Sequence, residues 1–178
     1  TIFNKKTEDD IISRNFIYLF PKKRVYPYQM TWLERNWRRK IDFRYQVGLG
    51  GTWVVIRQNK QLLKLSLTGT YESTDFRARN FENYADTSSN QINTWRATLR
   101  VFGNHINKNN TLRLRYEIWL QPSLENPDNF RYHAESALSV PLTKQLSLQT
   151  AVNYSFENIV IKGIRQRDFI WTFGAAFN

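Results

Sequence analysis

The final stretch of the chain, Asp168-Phe-Ile-Trp-Thr-Phe-Gly-Ala-Ala-Phe177, admits few structures. Phe169, Trp171 and Phe173 recur at every second position, and Ala175 and Phe177 continue the row. Asp168, Thr172, Gly174 and Ala176 lie between them. Period two is the signature of a β-strand with one apolar face. At an ordinary rise per residue and a barrel-like tilt, a strand of this length crosses about 25 Å, the height of a bilayer's apolar band. The stretch predicts one wall strand of an outer-membrane β-barrel.

The same alternation recurs upstream. Ile11 to Phe20 is rich in β-formers, and the next strand runs from Tyr26 to about Asn36 with Tyr28, Met30 and Trp32 on one face. Between Asp42 and Ile56, Phe43, Tyr45, Val47, Leu49, Trp53 and Val55 oppose Arg44, Gln46, Gly48, Gly50 and Thr52. Glycines on the polar face leave room for bulky neighbours inside a closed barrel. Leu63 to Tyr71 alternate with Lys64 to Glu72, and Trp95, Ala97, Leu99 and Val101 oppose Arg96, Thr98 and Arg100. Leu112, Leu114, Tyr116, Ile118 and Leu120 oppose Arg113, Arg115, Glu117 and Gln121. Phe130, Tyr132, Ala134, Leu138 and Val140 oppose Arg131, His133 and Glu135. Leu146, Leu148, Val152, Tyr154 and Phe156 oppose Gln145, Ser147, Gln149, Asn153 and Ser155.

With the closing strand this makes nine, and no long window carries a competing helical period. Single-chain bacterial barrels have even strand numbers, so the expectation is about ten, with one strand before residue 1. Connections at 77–91, 124–129 and 158–167 share one side with the tight 37–40 link; those at 21–24, 58–61, 104–110 and 141–144 share the other. The first set is longer on average, the asymmetry of barrels with long loops outside and short periplasmic turns. Residues 1–10 and 77–91 read as polar loops. The expected architecture is all-β, a single antiparallel up-and-down transmembrane barrel domain over residues 1–178.

Composition is compatible with that reading. No run approaches 18 apolar residues, so no helical span is expected, but a barrel wall needs apolar residues only at alternate positions. Aromatics make up 15% of the 178 residues, with six Trp and nine Tyr, and low Gly and Pro argue against disorder. Cysteine is absent, which excludes disulfides and thiolate chemistry. The start, Thr-Ile-Phe-Asn-Lys-Lys, lacks the apolar core of a signal peptide. The net charge of +11 favours acidic partners such as lipid phosphates.

The two strand faces carry different chemistry. Tyr28, Trp53, Tyr71, Trp95, Tyr116, Tyr154, Trp171 and Phe177 fall on the apolar face, mostly towards strand ends, as in a lipid-facing aromatic girdle. A soluble, lipocalin-like barrel with that face turned inward has the same period; strands of ten or more residues favour the membrane. The polar face then lines the lumen. There the cations Arg44, Lys64, Arg96, Arg100, Arg113, Arg115 and Arg131 meet the carboxylates of Glu72, Glu117, Glu135 and Asp168, an excess of positive charge. In so narrow a barrel these side chains interdigitate into a salt-bridged plug; the sharper alternative is an anion site or narrow anion pore.

Signals for catalysis are weak. His105 sits in a predicted turn, where it is solvated. His133, Glu135 and Ser136 make a hydrolase-like set, but on a strand Ser136 points away from His133 and Glu135. An envelope-lipid-modifying enzyme acting at the barrel mouth is therefore the runner-up, and no catalytic residue is assigned. No Gly-rich phosphate loop, zinc spacing or calcium loop appears, so neither metal nor cofactor is expected. The dispersed basic residues match no nucleic-acid-binding pattern, and no nucleic-acid partner is expected. Arg38, Arg39, Lys40, Lys162, Arg165 and Arg167 fall on the predicted outer side, where they are candidates for lipopolysaccharide phosphates; ordinary solvated loop charge is the alternative.

Several segments resemble a known family. These are Arg24-Val-Tyr-Pro-Tyr, Glu34-Arg-Asn36, Arg39-Lys-Ile-Asp-Phe-Arg44, Gly48-Leu-Gly-Gly51, Arg113 to Leu124, Asn126 to Tyr132 and Val140 to Leu148. Together they are similar to domain-of-unknown-function family 481, outer-membrane proteins sometimes called salt-induced. The resemblance spans roughly residues 24 to 177 and implies a transmembrane barrel in the bacterial outer membrane without an assigned activity. It brings no catalytic residues. The partners expected are outer-membrane lipids and lipopolysaccharide, other subunits of an envelope complex, and the barrel-assembly machinery during insertion.

Overall fold

Alternation along each segment is realised as one antiparallel sheet. A computed structural model of the chain describes residues 10–85, 88–143 and 145–177. Its strands are β1 (Ile11–Tyr18), β2 (Val25–Asn36), β3 (Ile41–Gln58), β4 (Gln61–Phe76), β5 (Gln91–Ile106), β6 (Arg113–Pro122), β7 (Phe130–Pro141), β8 (Leu146–Glu157) and β9 (Arg167–Phe177). Each pairs with its neighbours in sequence, in the order β1 to β9, and the described residues form no helix. Most of the predicted loop at residues 1–10 lies outside the described residues.

Strand twist curls a sheet of this size until its two halves face each other. Here Gln121 of β6 donates to Gln46 of β3 at 3.2 Å, and the Trp32 ring of β2 meets the Trp119 ring of β6 with centroids 5.9 Å apart. The sheet does not close. β1 pairs only with β2 and β9 only with β8, so the expected ten-stranded closed barrel is observed as nine strands with an open seam. The reason is polarity. With nine antiparallel strands, β1 and β9 run in the same direction and cannot continue the antiparallel ladder with each other.

Register explains which residues face out. Val25, Trp53, Leu65, Val101, Ile118, Ala134, Tyr154 and Phe169 are successive cross-strand partners from β2 to β9, an unbroken apolar row around the outside. Leu67, Leu99, Leu120, Tyr132 and Phe156 form the next row. Many of these side chains are bare to the surroundings; Trp171 is 68% and Phe173 73% exposed. β2 departs from expectation. Tyr28, Met30 and Trp32 share a face as predicted, but that face turns inward: Tyr28 is 3% exposed and its hydroxyl contacts that of Thr68. Tyr28 is therefore not part of an outer aromatic girdle. Its inward turn is made possible by the glycines opposite, since Tyr28 pairs with Gly50 and Met30 with Gly48.

The loops on one side fold over the end of the sheet. Residues 77–91, read as a polar loop, instead deliver Phe81, buried and bridged to Ile161 of the β8–β9 connection. Phe81 and Ile161 join Ile41, Phe76, Ile92 and Ile159 in an apolar cap. β5 begins earlier and ends later than its alternation suggested, so His105 lies on a strand rather than in a turn. Its ring is half-buried and stacked on Tyr116, 5.6 Å between centroids, rather than solvated.

Adjacent glycines in β3 test this packing. A Cβ at Gly50 would come within 2.6 Å of the Leu67 carbonyl oxygen, whereas one at Gly51 would meet nothing within 4 Å. Gly50→Ala should cost about 1–3 kcal/mol through overpacking. Gly51→Ala should be near neutral. Denaturant unfolding of the two variants side by side checks the contrast, and equal losses would contradict the assigned facing of β3.

Candidate functional site: the interior charge cluster

Along most strands every second residue is polar and faces inward, and the curl of the sheet drives these side chains together away from water. All of the predicted lumen residues sit on the inner face. On the loop side, four arginines meet four carboxylates. Arg44 donates through Nη1 to Glu34 at 3.1 Å and through Nε to the Thr74 hydroxyl at 2.9 Å, and it pairs closely with Glu157. Glu72 accepts from Arg96 Nη2 at 3.0 Å on one oxygen and from Arg131 on the other. Arg39 reaches in from the β2–β3 turn, with Nη1 2.6 Å from Glu157 and Nη2 2.7 Å from Asp168. Arg44 is 2% and Glu72 1% exposed.

Neutral groups complete the network. Arg96 also donates to the backbone oxygens of Gln121 and Asn129 at 3.2 and 3.1 Å. Gln121 accepts from Arg131 Nε and donates to the Thr98 hydroxyl at 2.6 Å. A void of about 10 Å³ separates this cluster from Phe76, Ile92 and Ile159 of the apolar cap, so the cap seats directly on the ion pairs. That volume is at most one water's worth.

Towards the turns the balance changes. Arg14, Lys64, Arg100, Arg113 and Arg115 outnumber the carboxylates of this half, Glu117 and Glu135. Arg100 pairs with Glu117, but Arg14, Lys64, Arg113 and Arg115 make no ion pair among the described residues. Lys64 instead lies 5.9 Å from the centroids of the Tyr26 and Phe102 rings, and Arg14 stacks 4.0 Å from that of Trp32. The cationic excess read from the sequence is confined to this half.

Other predicted positions sort simply. Trp53, Tyr71, Trp95, Tyr116, Tyr154, Trp171 and Phe177 lie on the outer face. Arg38, Lys40, Lys162, Arg165 and Arg167 are exposed on the loop side, Arg38 with Asp10 at 3.9 Å. Arg39 is the exception. It is buried in the cluster and spoken for by Glu157 and Asp168, so it is not available to an external phosphate. Glu34, Glu157 and Arg14 were missed. Carrying period two one step past Ser155 would have found Glu157; one step past Trp32 reaches Glu34, but on a row that reads as outward-facing until β2 is seen to turn inward.

His133 is buried with its ring stacked on Trp119 at 5.3 Å, and its Nε2 lies 3.6 Å from Glu135. Ser136 belongs to the outer row beside Tyr116, on the far side of the sheet from both. Among the described residues no His, Asp and Glu cluster is placed to ligate a metal.

A model of the family described as "Protein of unknown function, DUF481" matches residues 5–178. The chain belongs to that family. No curated protein and no solved structure matches it. The family description assigns no activity, so what the interior does must be argued from its chemistry.

The cluster sets a hierarchy of stability. Glu72→Gln strips charge from between Arg44, Arg96 and Arg131 and should cost about 3–5 kcal/mol, the price of stranding a buried guanidinium. Glu135→Gln, whose carboxylate is 37% exposed, should cost less than about 1 kcal/mol. Urea titrations of the two variants decide; equal midpoints would deny the cluster its structural role.

Proposed function

We propose that this chain is the wall of a small integral outer-membrane β-barrel with a structural or binding role, its interior blocked by ion pairs. The observation that carries the reading is the inversion of the two faces. Leu49, Leu67, Trp95, Trp171 and Phe173 are exposed, while Arg44, Arg96, Arg131, Glu72 and Glu157 are buried. In water the apolar rows would form a continuous patch far beyond what a monomer tolerates. Against acyl chains the same rows are the favourable surface.

Closure of the seam follows from strand polarity. β1 and β9 both run from the loop side to the turn side, so one further strand of opposite direction is antiparallel to each. A tenth strand removes both edges at once. The exposed basic residues Arg38, Lys40, Lys162, Arg165 and Arg167 would then stand at the outer leaflet, within reach of lipopolysaccharide phosphates. Other envelope subunits remain candidate partners at the loop face, and the barrel-assembly machinery would handle insertion.

A pore is disfavoured by the loop-side cluster, whose arginines and carboxylates cross the interior from β3 to β8 and lie under an apolar cap. Catalysis at the mouth is disfavoured by the placement of Ser136 opposite His133.

Four measurements test this reading. The purified protein should require detergent and should migrate differently on gels before and after boiling; solubility without detergent would overturn the membrane assignment. In single-tryptophan variants reconstituted in bilayers, brominated acyl chains should quench Trp95 and Trp171 strongly and Trp119 weakly, and planar bilayers should record no unitary conductance. Uniform quenching would mean that the faces are reversed or mixed.

A further inference from the structure

The turn-side half of the interior has features that the loop-side half lacks. It contains a cavity of about 220 Å³, whose walls include Arg14, Arg100 and Arg115, the rings of Trp32 and Trp119, and the carboxylates of Glu117 and Glu135. A cavity of about 150 Å³ accommodates benzene, so this one has room for a six-membered ring with a small substituent. Trp32 and Trp119 meet edge to face at 85° and form a flat-sided corner.

Charge and hydrogen bonding both leave an acceptor wanting there. Glu117, the nearer carboxylate, is engaged by Arg100, and Glu135 lies 3.6 Å from His133. Arg14 and Arg115 make no ion pair among the described residues. The indole Nε1 of Trp32 and the Nε of Arg100 are buried donors with no acceptor. Donors left so are costly, and each gains most from a charged oxygen. Cation–π contacts such as that of Arg14 on Trp32 offset only part of the missing carboxylate.

We infer that this cavity binds a small monocarboxylate with a flat apolar body. The carboxylate lies against Arg14 and Arg115 and accepts from the Trp32 indole, and the ring lies in the corner made with Trp119. The site goes beyond the membrane reading and stands without it, because only interior side chains build it.

The probe is p-nitrobenzoate, titrated into the folded protein in detergent while quenching of tryptophan fluorescence is followed. Nitrobenzene, of similar shape and uncharged, is the control. Saturable quenching is expected for p-nitrobenzoate, with nitrobenzene at least tenfold weaker. The double variant Arg14→Gln/Arg115→Gln should lose at least tenfold in affinity, whereas Arg79→Gln, exposed on the loop side, should lose none. Trp32→Phe keeps the ring but removes the orphan donor and should weaken binding several-fold, which separates loss of a contact from loss of the fold. Circular dichroism of each variant checks the strand content. The inference is overturned by absence of saturation, by equal affinity for nitrobenzene, or by unchanged affinity in a folded double variant. Saturation of fluorescence with no heat of binding for benzoate would likewise count against it, since the nitro group alone would then be responsible.

Discussion

A guanidinium removed from water must be given a carboxylate, and in this molecule much of that requirement is met across the sheet. Arg44 on β3 finds Glu157 on β8; Arg131 on β7 finds Glu72 on β4; Arg39 in a turn finds Asp168 on β9. None of these pairs lies between neighbouring strands, so none forms until the sheet has curled. These long-range pairs specify curvature, while Arg44 with Glu34 and Arg96 with Glu72 tie neighbouring strands. The cost of failing to meet, several kcal/mol per stranded charge, disfavours flatter arrangements of the same strands.

Packing then follows from what the ion pairs leave open. Gly48 and Gly50 create a trough on β3 that admits Met30 and Tyr28 from β2, and the aromatic corner of Trp32 and Trp119 fills the middle. Above the ion pairs, Phe81 and Ile161 bring two loops together over the end of the sheet. Each layer has a different chemistry: apolar cap, neutralised charge cluster, then a half-filled cationic chamber. The outer rows are indifferent to these layers, since their side chains point away from all of them.

Much of this was legible in the sequence because the side-chain period of a strand is two, and a single strong row such as Phe169, Trp171 and Phe173 orients its whole strand. The number of strands, their order and the inner placement of Arg44, Glu72, Arg96 and Arg131 follow from that. β2 was not legible in the same way. Its inward face is Tyr26, Tyr28, Met30 and Trp32, as apolar as any outer row, and nothing local distinguishes a tyrosine facing glycines from one facing lipid. Arg39 was hidden for a related reason. A basic residue in a tight turn reads as solvated, and only the positions of Glu157 and Asp168, more than a hundred residues later, draw it inward. The role of Phe81 was masked by the polar residues around it.

The apolar cap has a consequence for traffic. Were the seam closed by a tenth strand as proposed, the molecule would be a cup rather than a tube, its mouth among the short turns. Whatever enters such a vessel leaves by the way it came. In that closed form retention would be governed by the rim, where Arg113 and Arg115 stand, and a concentration difference between its two ends could not drive a solute through it.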